Sequence, residues 1–173
     1  MPRLAIVSDT HIPSRADAIP EWVEAEVAAA DHVVHAGDFD SHDALETVED
    51  LVDGEFTAVH GNIEPKDIGL PTTTSVTVGG QEFVVTHGSG AIEGYRDRVA
   101  DIVREEAETS APIGVSGHTH DVLDTVHDGV RLLNPGSATG ADPAEERTMM
   151  RVDVETGAEG DVGAGIDVEV LRG

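Results

Sequence analysis

Five short apolar segments that each end in a polar loop limit the fold of this chain more than any other feature. They are Leu4–Val7, Val33–His35, Phe56–Val59, Glu82–Thr86 and Ile113–Val115. Apolar residues at helical spacing predict helices between them, over Ile19–Ala30, about Asp43–Val52 and Ile92–Glu108. Strands that alternate with helices imply right-handed crossovers and a largely parallel sheet.

After Pro71 the sequence pattern changes, and most of the following segments are strand-like. Thr74–Val78 and Glu82–Thr86 flank Gly79-Gly80, a pattern typical of a hairpin. The remaining strand-like segments are Val122–His127, Val130–Leu133, Thr148–Val154 and Ile166–Leu171, with Asp128-Gly129 as a turn between the first two. The sequence therefore predicts an α/β fold in which two stacked sheets carry helices on their outer faces.

The residues able to bind a metal fall in the loops that follow the five segments. They are Asp9 and His11, Asp38, Asn62, His87, and His118 with His120. Loops beyond the carboxyl ends of strands converge on one crevice, and residues two apart in an extended loop point the same way. Each of these motifs alone is weak evidence for a metal site, since a lone histidine after an apolar run is more often a core residue. The joint pattern indicates a metal site.

These motifs resemble those of the calcineurin-like metallophosphoesterases, and the short length and Asn134–Ser137 resemble the small single-domain phosphodiesterase branch. The resemblance implies one domain over residues 1–173 and a four-layer α/β/β/α sandwich of two mixed sheets flanked by helices. It also implies that Asp9, His11 and His120 bind one metal and that Asn62, His87 and His118 bind the other. Asp38 would bridge the two.

The implied activity is hydrolysis of a phosphate ester, with a phosphodiester favoured, by attack of a bridging hydroxide at a two-metal site. Asp38, Asn62 and His118 would take part through that hydroxide. A shared carboxylate suits two cations ~3.5–4 Å apart, because its charge offsets their repulsion. Imidazole, carboxylate and amide ligands without sulfur suit Mn²⁺, our first choice, or Ni²⁺, Co²⁺, Fe²⁺ or Zn²⁺.

The sequence departs from the family pattern where a proton donor for the leaving group is expected. Many members have a histidine after the Gly-Asn pair, whereas this chain has Ile63, and Ser89 stands where the small branch often has another histidine. His60 and Glu64 are the candidate donors. Each has an alternative structural role, completing a strand or capping the following segment.

The net charge limits the kinds of partner that the chain can bind. Asp and Glu total 35 against 10 Lys and Arg, a net charge of −25, and the carboxylates are dispersed. Such a surface resembles that of halophilic proteins and makes non-specific nucleic-acid binding unfavourable. The partner that the family resemblance implies is a small phosphate ester. The absence of Cys and of a long apolar run favours the cytoplasm and argues against membrane insertion. The family resemblance also allows a homodimer.

Two other functions fit the same fold. One is a non-catalytic scaffold, as in the retromer subunit that resembles these enzymes but has lost key metal ligands. The other is a metal- or nucleotide-sensing interaction module. Retention of all seven ligands argues against the scaffold.

Overall fold

The structure, a computed structural model, describes residues 1–155 and 165–173. Its helices are α1 (Glu21–Ala29), α2 (His42–Leu51) and α3 (Tyr95–Glu106). Its strands are β1 (Arg3–Val7), β2 (His32–His35), β3 (Glu55–Ala58), β4 (Thr73–Val78), β5 (Gln81–Thr86), β6 (Ile113–Val115), β7 (Val122–His127), β8 (Val130–Pro135), β9 (Thr148–Val154) and β10 (Ile166–Arg172). The single domain predicted over residues 1–173 includes 156–164, which lie outside the described residues.

The strands form two mixed sheets. The first has the order β10-β9-β1-β2-β3, in which β1, β2 and β3 are parallel and β9 runs antiparallel to β1. The second has the order β4-β5-β6-β8-β7, in which β5, β6 and β8 are parallel and the two edge strands run antiparallel to their neighbours. Each sheet thus contributes parallel strands to its centre.

Alternation along β1 shows how the layers form. Leu4 and Ile6 point into the core between the two sheets, whereas Ala5 and Val7 pack on the outer side with residues of α1. On the second sheet, α3 buries Val99 and Val103 against the outer face. The result is the four-layer α/β/β/α sandwich, so the fold prediction is confirmed.

Helix α3 begins at Tyr95, three residues later than the sequence predicts. The cause is Gly94, whose φ of 74° lies in the left-handed region and cannot continue a helix. Ile92 therefore lies in a loop, and 66% of it is exposed. No helix among the described residues is long and apolar enough to cross a membrane.

All the loops with candidate ligands follow the carboxyl ends of parallel strands. Three belong to the first sheet, after β1, β2 and β3, and two belong to the second, after β5 and β6. Because the sheets pack face to face, these loops meet at one end of the sandwich.

Candidate metal centre

The structure brings all seven predicted ligands together in two groups that share one carboxylate. Ligand atoms of Asp9, His11, Asp38 and His120 lie within 4.8 Å of one another, as do those of Asp38, His87 and His118. The amide oxygen of Asn62 lies 2.9 Å from His87 Nε2 and 3.2 Å from His118 Nδ1, which adds it to the second group. This division matches the ligand sets that the family resemblance implies.

Asp9 leaves one oxygen aimed into the centre. Its Oδ2 accepts hydrogen bonds from Ser8 Oγ (2.8 Å) and the His118 backbone N–H (3.0 Å). Its buried Oδ1 has no hydrogen-bond partner among the described residues and lies 3.3 Å from His120 Nε2 and 3.7 Å from His11 Nε2. Because a buried oxygen without a partner is costly, this geometry fits a bound cation.

Each histidine has one ring nitrogen bonded to an oxygen outside the centre. The partners are Asp40 Oδ1 for His11 Nδ1 (3.1 Å), Ala36 O for His87 Nδ1 (2.6 Å), Gly90 O for His118 Nε2 (2.7 Å) and Ala141 O for His120 Nδ1 (2.8 Å). An N–H that donates there leaves a lone pair on the other nitrogen, which points into the centre. This is the arrangement of metal-binding imidazoles.

His11 and His120 show the need for a cation most clearly. Their Nε2 atoms lie 3.1 Å apart, although both Nδ1 atoms already have acceptors. Two neutral rings in these tautomers would therefore face each other with lone pairs. A shared cation makes the arrangement favourable, so these residues fit a metal ion.

Asp38 lies between the two groups. Its Oδ1 accepts the Asn62 backbone N–H at 2.8 Å, which fixes the carboxylate. Its Oδ2 is 3.1 Å from His87 Nε2 and 3.5 Å from His11 Nε2, one histidine from each group. This oxygen is thus placed to serve both groups.

Charges in the centre favour cation binding. Burial alone would raise the pKa of Asp9, but the adjacent rings of His11 and His120 and the charge of His87 hold it well below its usual value. Burial alone would lower the pKa of His87, but its hydrogen bond to Asp38 and the charge of Asp9 raise it to about 9. The buried carboxylates therefore stay anionic. Nearby positive charge stabilises them, either as protons on the histidine rings or as metal ions.

The backbone around the centre is strained. Six of the seven non-glycine residues at positive φ in the described chain surround it: Asp9, His11, Asp38, Asp40, His118 and His120. Each costs on the order of 1 kcal/mol. Such outliers persist when the surroundings enforce them, and their concentration here marks a functional site.

Two glycines allow the ligand loops to approach each other. A Cβ on Gly61 would collide with the carboxylate of Asp38, and one on Gly117 would collide with Ser8 Oγ and the Asp9 carboxylate. These residues are glycine because of close approach, since neither has a positive φ.

Glu64, a candidate proton donor, joins two ligand loops. It is 6% exposed, and its two carboxylate oxygens accept the backbone N–H groups of Phe39 and Gly61, each at 2.9 Å. Both oxygens are occupied on the protein side. The other candidate, His60, is half-buried in a recess that His87, Gly88 and Ser89 also line, and its Nδ1 contacts Gly61 O.

Sequence reasoning missed the polar residues that hold the ligands. Asp40 binds His11, and the fully buried His35 contacts Thr10 Oγ1 through Nε2 (3.1 Å) and accepts the Gly37 N–H at Nδ1 (3.1 Å). Burial lowers the pKa of His35 to about 3, so the ring is neutral.

The Asn134–Ser137 segment has the same supporting role. Asn134 Nδ2 donates to Gly117 O at 2.9 Å, and Ser137 Oγ donates to Asp9 O at 2.7 Å. Thr139 Oγ1 donates to Thr10 O at 2.7 Å. The segment thus holds the backbone of the first and last ligand loops, and only its resemblance to the small phosphodiesterases pointed to it.

Fold and site together define an α/β protein with a candidate metal centre where two sheets meet. Residues 3–157 match the family model described as the calcineurin-like phosphoesterase superfamily domain. The chain is also 31% identical over 172 residues, 98% of its length and 91% of the relative's, to a probable metallophosphoesterase of Methanothermobacter thermautotrophicus. The chain therefore belongs to the calcineurin-like phosphoesterase superfamily.

Two solved structures show the same fold. Wild-type Vps29 complexed with zinc, from Entamoeba histolytica, is 24% identical, with a TM-score of 0.75 and 98% of each chain covered. An archaeal phosphodiesterase is 20% identical, with a TM-score of 0.67, and the match covers 98% of this chain and 99% of that one. The fold is thus shared by a phosphodiesterase and by a vacuolar sorting protein.

Proposed function

We propose that this protein is a phosphodiesterase that depends on two divalent metal ions. The observation that carries the proposal is the pair of ligand groups joined by Asp38, with an unpartnered Asp9 oxygen and imidazole lone pairs facing inward. The similarity to an archaeal phosphodiesterase supports a diester substrate. Asp9, His11 and His120 would hold one ion, Asn62, His87 and His118 the other, and Asp38 both.

Two such cations, when bound, polarise phosphoryl oxygens and activate water for in-line displacement. The chain's own contribution is positional. Asp40 and the backbone carbonyls orient the imidazoles, and Glu64 and Ser137 hold the loops. Mn²⁺ is our first choice of metal. The oxygen and nitrogen ligand set also suits Ni²⁺, Co²⁺, Fe²⁺ or Zn²⁺.

For protonation of the leaving group, the geometry favours His60 over Glu64. Both oxygens of Glu64 accept backbone N–H groups, which hold this side chain against the ligand loops. His60 has one ring nitrogen with no hydrogen bond among the described residues.

A cytoplasmic location and a homodimer stay predictions.

Hydrolysis of bis-p-nitrophenyl phosphate tests the proposal. The protein is treated with a chelator and assayed in molar KCl with and without each divalent ion, alongside Asp38→Ala. We expect metal-stimulated turnover that Asp38→Ala abolishes. No stimulation by any ion would refute the enzyme and favour a binding role like that of a scaffold. Unchanged turnover in Asp38→Ala would refute the site.

A further inference from the structure

A recess of about 480 Å³ lies beside the metal centre, between the Pro13–Arg15 turn and Ile63, with Asp40 in its wall. Ile63 directly follows the ligand Asn62, and Asp40 is hydrogen-bonded to the ligand His11. The recess therefore adjoins residues that belong to both ligand groups. A substrate whose phosphate lies on the centre could extend into it.

The turn that carries Arg15 is fixed to the centre. The backbone N–H of Arg15 donates to His11 O at 2.9 Å, and the N–H of Ser14 donates to Asp40 Oδ2 at 2.8 Å. The side chain of Arg15 thus starts from a backbone position that is tied to a metal ligand and to the residue that orients it.

The guanidinium of Arg15 also lies near the centre. Its Nη1 donates to Asp142 O at 2.8 Å, and the preceding carbonyl, Ala141 O, accepts the hydrogen bond of His120. In the part of the chain that the structure describes, no carboxylate lies within ion-pair distance of Arg15. By contrast, Arg3 and Arg172 each have one at 3.0 and 3.1 Å.

Among the described residues, Arg96, Arg98 and Arg147 also lack a carboxylate at this distance, but of these four arginines Arg15 is the one that lines the recess. A guanidinium presents five N–H donors in a planar fork that suits phosphate and carboxylate groups. Only one contact, to Asp142 O, occupies this fork among the described residues. Arg15 therefore lines the recess with a cationic side chain whose backbone is tied to the centre, beside Pro13, Ile63 and the carboxylate of Asp40.

We propose that this recess is a subsite for a second anionic group of the substrate, which Arg15 binds. The inference rests on the proposed function and narrows it: the substrates are phosphate esters that carry a further phosphate or carboxylate. The organic part between the two anionic groups would lie against Pro13 and Ile63, while the metal centre takes the scissile phosphate.

Calorimetric binding of two nucleotides to the Mn²⁺-loaded protein tests this subsite. Thymidine 3′,5′-bisphosphate and thymidine 5′-monophosphate differ only by one phosphate. We expect the wild type to bind the bisphosphate about tenfold more tightly, the scale of one charge-assisted hydrogen bond. Arg15→Gln should remove this preference without weakening the monophosphate, and Arg15→Lys should keep part of it. Arg104→Gln, the same charge change on α3, serves as the control.

Equal affinity of the wild type for both nucleotides would overturn the subsite. So would an Arg15→Gln variant that loses affinity for both equally, because Arg15 would then contact the phosphate that they share. If Arg104→Gln lost the preference for the bisphosphate to the same extent, the net charge of the protein would explain that preference. This result would also contradict the proposal. The experiment measures binding and therefore does not depend on turnover. If the protein prefers the bisphosphate but hydrolyses no ester, the subsite is supported and only the proposed phosphodiesterase activity is refuted.

Discussion

Replacement of Asp40 tests whether the residues behind the ligands tune the metal centre. Asp40 Oδ1 lies 3.1 Å from His11 Nδ1, and its Oδ2 accepts the Ser14 N–H at 2.8 Å. A carboxylate in this position fixes the imidazole tautomer and raises the basicity of the nitrogen that faces the metal. Asp40 contacts His11 alone among the ligands, so only the group of Asp9, His11 and His120 should respond.

The two substitutions at Asp40 should differ in size. In Asp40→Asn the amide oxygen still accepts from His11, but the negative charge and the acceptor for the Ser14 N–H are lost, and we expect affinity for one metal to fall about tenfold. In Asp40→Ala both hydrogen bonds vanish and the His11 ring is free to change tautomer, so we expect a fall of about a hundredfold. Either asparagine or aspartate tolerates the φ of 87° at this position, which protects the first variant from misfolding.

The assay is a calorimetric titration of the chelator-treated protein with Mn²⁺. The wild type should bind two ions, and the variants should show one site weakened and one unchanged. Asp121→Asn is the matched control, because it removes the same charge from an exposed residue next to His120. Equal weakening of both sites, or an Asp40→Asn isotherm that matches the Asp121→Asn isotherm, would refute the reasoning.

Four further predictions follow from the structure. Gly117→Ala should lower Mn²⁺ affinity in the same titration, because its Cβ would displace the Asp9 carboxylate; unchanged affinity would contradict this. Glu82 accepts two backbone N–H groups and two hydroxyls, and its pKa is lowered despite burial. Glu82→Gln should therefore cost about 2 kcal/mol in urea unfolding at pH 7, and the difference should shrink as the pH falls below 4.5, through the folded-state pKa; a difference that stays constant with pH would argue against it. His60→Ala should slow hydrolysis of an alkyl ester more than that of a p-nitrophenyl ester, and equal slowing would exclude it as the proton donor. The melting temperature should rise between dilute buffer and molar KCl, because salt screens the repulsion among the dispersed carboxylates; a salt-independent value would refute the halophilic interpretation.

The sequence predicted the sheets and the convergence of the seven candidate ligands because both leave local signals. Short apolar runs and turn residues such as Gly79-Gly80 and Asp128-Gly129 determine strands and hairpins within a few positions. The ligands follow strand ends, and parallel strand ends meet at one edge. The start of α3 was wrong because apolar spacing continues through Ile92, while the conformation of Gly94 ends the helix.

The supporting residues could not be predicted in the same way. Asp40 and His11 are 29 positions apart, and Ser137 is 128 positions from the Asp9 carbonyl that it binds. Nothing in the sequence near Ser137 indicates which backbone oxygen it will contact. Such pairs are determined by the packing of the two sheets, and they decide ring tautomers and loop positions, which are the features that set metal affinity.

The most direct test of the two-metal proposal measures bound metal and turnover together. Chelator-treated protein is titrated with Mn²⁺, and bound ions per chain and the rate of bis-p-nitrophenyl phosphate hydrolysis are recorded at each step. Because Asp38 joins two complete ligand groups, we predict little turnover with the first equivalent and a rise that follows the second. Full turnover with a single bound ion, or with none, would contradict a two-metal phosphodiesterase.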